Sequence, residues 1–127
     1  AKAPRVTVGG FQCEELAPGA GGEAAREGQA VELKFSIRLA KKEKTPVERG
    51  QVRCRLGEAE VLDGWVDGHV DLEEVLAAWG HGVVGMQLGG KRRVHVPARQ
   101  GFRSHGGGDA VPVGTDLVWE VELKKLL

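Results

Sequence analysis

Tyrosine is absent from this 127-residue chain, and cysteine, methionine and the other aromatics are scarce: two Cys, one Met, three Phe and three Trp. Each shortage excludes something. Cys13 and Cys54 are too few for a disulfide scaffold and too far apart for a zinc knuckle. They read as two buried thiols, with a single disulfide as the alternative. An excess of either charge is also missing, since eighteen basic residues balance eighteen acidic ones. That argues against the net basic face of a nucleic-acid binder. No apolar run approaches the length that spans a bilayer. A soluble chain of the cytoplasm or an organelle interior is therefore expected, with no membrane insertion and the compartment left open. His69, His81, His95 and His105 lack the spacing of metal ligands. Gly106-Gly107-Gly108 has no Lys-Ser/Thr after it, so it is not a phosphate loop. No nucleophile motif surrounds the serines, and no cofactor is expected.

What the chain has in quantity is glycine, twenty residues that divide it into short segments. From Val31 to Leu39 apolar and polar residues alternate strictly, the period of a strand with one buried face. Leu117, Trp119, Val121 and Leu123 repeat the pattern, as do Val52, Cys54 and Leu56 between Arg53 and Arg55. Val94 and Val96 alternate with Arg93 and His95 until Pro97, and Phe11 to Leu16 is a weaker run stopped by Pro18-Gly19. One-sided strands need a cover, and only residues 71–79 offer one. There Asp71 caps, Glu74 completes a capping box, and Leu72, Val75, Leu76 and Trp79 share a helical face that Gly80 and Gly82 end. The expected fold is α+β: a curved antiparallel sheet wrapped around one short helix, with 1–127 a single domain. The charged segment 41–46 and the glycine-rich 101–114 read as loops, and Lys91-Arg92-Arg93 as a solvated strand end.

The segment from Trp79 through Gly85-Met86 and Gly89-Gly90 to Lys91-Arg92-Arg93 and Pro97 resembles the central signature of the FKBP-type peptidyl-prolyl isomerases. Val111-Pro112 with Thr115 to Leu123, and Ala17-Pro18-Gly19 with Gly28-Gln29, are similar to that family's closing and opening pieces. On this resemblance residues 1–10 are an N-terminal extension and about 58–70 an insertion before the helix. The family's pattern ending in Gly-Trp occurs at Leu56 to Trp65 and, as a partial copy, at Glu74 to Trp79, and the spacing to Met86 favours Trp79 as the pocket floor.

The resemblance implies a pocket of Trp79 and Phe102 as catalytic residues, with Phe35, Val75, Leu76, Val111 and Trp119 binding substrate. It implies no metal. The implied activity is isomerisation of Xaa-Pro bonds in a dry apolar slot, a protein-folding function. Implied ligands are proline-containing peptides or proteins, and macrolides. The family's tyrosines stand here as Phe35 and Phe102, and its acidic residue after the second strand has no match beyond Glu43 or Glu48. Low activity is therefore expected. The alternative is a catalytically impaired interaction module or a subunit of a larger assembly.

Overall fold

The computed structural model describes residues 5–41, 46, 48–56, 58, 60–67, 72–100 and 115–127, without the side chains at 74, 78 and 100. Seven strands occur in it: β1 (Arg5–Val8), β2 (Phe11–Ala17), β3 (Ala30–Leu39), β4 (Glu48–Arg55), β5 (Glu60–Val66), β6 (Lys91–Val96) and β7 (Leu117–Leu126). They form one sheet in the order β1-β2-β6-β7-β3-β4-β5, antiparallel at every pairing. The sheet is open, with β1 and β5 at its edges. A single short helix, α1 (Leu72–Trp79), lies on its inner face and tightens into a 3-10 turn over Gly80–Val83. This is the α+β architecture the alternation predicts.

The core follows from strand parity. Val31, Leu33, Phe35 and Ile37 of β3, Leu117, Trp119, Val121 and Leu123 of β7, and Val52 and Cys54 of β4 all face inward. The helix adds Val75, Leu76 and Trp79 to the same cluster. Both cysteines are free and buried. Burial away from any compensating charge pushes the Cys54 thiol up to about 12, and burial also raises Cys13. Neither is primed as a nucleophile.

The two edge strands lie where the sequence predicts none. β1 falls in the expected N-terminal extension, and its Val6–Cys13 and Val8–Phe11 registers carry a two-valine alternation too short to stand out. β5 occupies the expected insertion. There Asp63-Gly64 imitates a turn, yet Gly64 is a point of close approach: a Cβ on it would lie 2.8 Å from the Gln51 carbonyl oxygen and 3.0 Å from Val52 Cα. A bulge where Arg53/Cys54 meet Asp63/Val61 hides the strand further by breaking its period at Leu62.

The outer face is a lattice of opposed charges. Arg93 pairs with Glu120 at 3.2 Å and with Glu14 at 3.7 Å, Arg38 with Glu120 at 2.9 Å, and Arg53 with Glu32 at 2.8 Å. Among the described residues no helix is long and apolar enough to cross a membrane.

Candidate functional site

The helical spacing of Leu72, Val75, Leu76 and Trp79 turns one stripe of α1 toward the sheet, and the last three are buried. Trp79, 1% exposed, meets Trp119 of β7 with ring centroids 6.0 Å apart and planes tilted by 58°. Phe35 of β3 approaches the same Trp119 at 6.3 Å and 59°. Both separations fall within the range where tilted aromatic pairs attract. Gly50 of β4 makes room for the array, because a Cβ there would lie 2.8 Å from Phe35 Cζ. The structure thus brings together Phe35, Val75, Leu76, Trp79 and Trp119. Phe102 and Val111, like Glu43 and the expected cap Asp71, lie outside the described residues.

Trp65 is elsewhere. It stands opposite Gln51 on the outer face of β5 and is 54% exposed. It helps wall a hollow of about 620 Å³ over β7, β3 and β4, together with Lys34, Phe35, Arg38, Arg49 and Glu120.

Two polar groups belong to the inner site. Glu48 is buried on the inner side of β4 opposite Ile37, and its Oε1 accepts a hydrogen bond from the Arg49 amide at 3.1 Å. Trp119 Nε1–H is a buried donor with no hydrogen-bond acceptor among the described residues. Leaving such a donor unmet costs on the order of 1–3 kcal/mol.

Lys91-Arg92-Arg93 departs from the expected solvated strand end. Only Lys91 is exposed, and Arg92 is 4% exposed. Its Nη1 donates to the carbonyls of Gly82 at 2.7 Å and Val84 at 2.8 Å, and its Nε to Glu15 Oε1 at 2.6 Å. Arg92 therefore clamps the turn that follows Trp79. The signal was parity, since Arg92 shares the inward phase of Val94 and Val96. Among the described residues no group of His, Cys, Asp and Glu side chains is placed to hold a metal ion.

Comparison with known proteins agrees with this geometry. Residues 69–124 match the family model described as FKBP-type peptidyl-prolyl cis-trans isomerase. An FK506-binding protein of Neisseria meningitidis serogroup B is 30% identical over 122 residues, covering 94% of this chain and 98% of that protein. The 46 kDa FK506-binding nuclear protein of Spodoptera frugiperda is 30% identical over 98% of this chain, which spans 27% of its length. A crystal structure of a peptidyl-prolyl cis-trans isomerase from Pseudomonas syringae superposes with a TM-score of 0.64 at 24% identity, over 99% of this chain and 83% of that one.

Proposed function

From the premise that this chain belongs to the FKBP-type peptidyl-prolyl cis-trans isomerase family, we propose that it binds Xaa-Pro segments in an apolar recess floored by Trp79 and accelerates their cis–trans interconversion. The observation that carries this reading is the aromatic array of Trp79, Trp119 and Phe35 on the inner face of the sheet. Val75 and Leu76 extend its wall, and the family resemblance assigns Phe102 and Val111 to the same recess. The barrier to be lowered, about 18–20 kcal/mol, comes from the partial double bond of the amide. A dry slot disfavours the charge-separated planar amide relative to the twisted one, so desolvation alone lowers it without a covalent step. In a site without tyrosine hydroxyls, the Trp119 indole N–H is a donor that the described residues leave for a substrate carbonyl. Activity is accordingly low. The matched relatives are named for FK506 binding, and a macrolide of that kind competes for the same recess.

The complete lack of tyrosine favours a second reading, an FKBP-fold module that holds a proline-containing partner without turning it over. A protease-coupled assay on a proline peptide at micromolar protein separates the two. Acceleration that disappears in Trp79→Leu and persists in Trp65→Leu supports catalysis. No acceleration by a folded sample leaves the module.

A further inference from the structure

Charge sign alternates across the outer face of the sheet, strand by strand, and every row that reaches β5 on a charge ends on an acid. In one row Arg5, Glu14, Arg93 and Glu120 stand in register, Ser36 and Arg49 follow, and Arg49 Nε donates to Asp67 at 3.1 Å. In a second, Lys125, Glu32, Arg53 and Asp63 succeed one another. In a third, Arg55 faces Glu60. Between Asp63 and Asp67 stands Trp65, and Leu62 of the same strand is 45% exposed. Among the described residues no strand pairs with the far side of β5, whose residues 60 and 62–65 are exposed.

Exposed edges are commonly blunted with lysine or proline. This one is not: residues 58–74 contain seven acids, Glu58, Glu60, Asp63, Asp67, Asp71, Glu73 and Glu74, and no Lys, Arg or Pro. That concentration stands out in a chain whose charges sum to zero over its full length. The opposite edge, β1, is only four residues long and carries Arg5.

We propose that β5 takes up an extended segment of a partner polypeptide as an added strand, and that this segment carries basic, apolar and basic residues at alternate positions. Extending the sheet's own alternation by one strand sets a cation opposite Asp63, an apolar side chain opposite Trp65, and a cation opposite Asp67. The pattern reads the same in both directions, so the chemistry of recognition holds for either strand orientation. A second copy of this chain is a poor occupant, because β5 against β5 brings acids together. The site lies on the face opposite the Trp79 recess and needs no proline, so it stands apart from the isomerase reading.

The test uses the full chain and the peptide Thr-Lys-Thr-Val-Thr-Lys-Thr, with Glu replacing both Lys in the control. The basic peptide is expected to shift the emission of Trp65, with Trp65→Thr abolishing the shift. At about ten times its Kd it is expected to slow exchange of the 60–66 amides about tenfold. The acidic control binds about tenfold more weakly or worse, and the double change Asp63→Lys with Asp67→Lys reverses the preference. Equal binding of the two peptides, protection at the 72–86 amides instead of β5, absence of binding, or concentration-dependent self-association that protects β5 would each overturn the proposal.

Discussion

Replacing Arg92 by methionine tests how the turn after Trp79 is held. Methionine keeps much of the length and apolar stem but donates nothing. The carbonyl oxygens of Gly82 and Val84 then lose their donor, and Glu15 Oε1 loses a contact of 2.6 Å. Each unmet acceptor in buried or half-buried surroundings costs on the order of 1–3 kcal/mol. Glu15, about a quarter exposed, keeps part of its hydration and adds roughly 1 kcal/mol or less. The expected loss is therefore about 3–5 kcal/mol, a large share of the 5–15 kcal/mol that holds a domain of this size together. In a thermal scan that corresponds to a fall in Tm of roughly 10–20 °C. Arg92→Lys, which retains the charge but cannot reach all three acceptors, should fall between. Urea unfolding monitored by circular dichroism measures each value, and a double-mutant cycle with Glu15→Gln isolates the ion pair. A loss below about 1 kcal/mol in Arg92→Met would refute the clamp.

Trp79→Leu should cost about 2–4 kcal/mol on chemical unfolding, whereas Trp65→Leu should stay within about 0.5 kcal/mol; comparable costs would contradict their placement. Acrylamide should quench Trp65 readily and leave Trp79 and Trp119 largely untouched, so uniform quenching would argue against a buried pair. Gly64→Ala should destabilise by about 1–3 kcal/mol through contact with the Gln51 carbonyl, and a neutral outcome would remove the reason for glycine there. The hydrogen bond from His95 to Glu14, with Arg93 nearby, holds the Glu14 carboxyl below its ordinary value. The unfolded chain therefore binds more protons in acid. The resulting stability is complete above the unfolded value near pH ~4.3 and is lost as pH falls through the lower folded one. His95→Leu should flatten that acid limb, and superimposable limbs would show that the contact contributes nothing. In the protease-coupled assay Trp119→Phe should lower kcat/KM by about five- to tenfold, the worth of one neutral hydrogen bond; unchanged kinetics would take the indole N–H out of the recess.

The residues that were legible in the sequence are those whose neighbours obey a single period. Val31 to Leu39 alternates without interruption and Leu117 to Leu123 with one exception, Val118, and both are central strands. The stripe of Val75, Leu76 and Trp79 was equally plain, because a helix of eight residues shows its face in two turns. What escaped lay at the edges. β5 mixes a bulge at Leu62 with a glycine at 64, so neither two-residue nor helical spacing survives along it. β1 is exposed at three of its four positions, and four residues are too few for alternation to be read. Arg92 is hard to place for a different reason: charge suggests solvent, whereas its phase in β6 and three acceptors put it inside. Side-chain chemistry and strand parity disagreed there, and parity prevailed because the acceptors were already waiting.

β7, made by residues 117–126, is the middle strand of the sheet, between β6 and β3. Its pairing with β3 joins residues more than seventy positions apart, and β2 reaches as far to β6. During synthesis the β1-β2 and β3-β4-β5 hairpins can form early, but they remain separate leaves with their apolar sides open. Only when residues 117–126 leave the ribosome can the two leaves join. Slow, late and nearly all-or-none acquisition of structure follows, as does a period in which a newly made chain exposes aggregation-prone apolar surface.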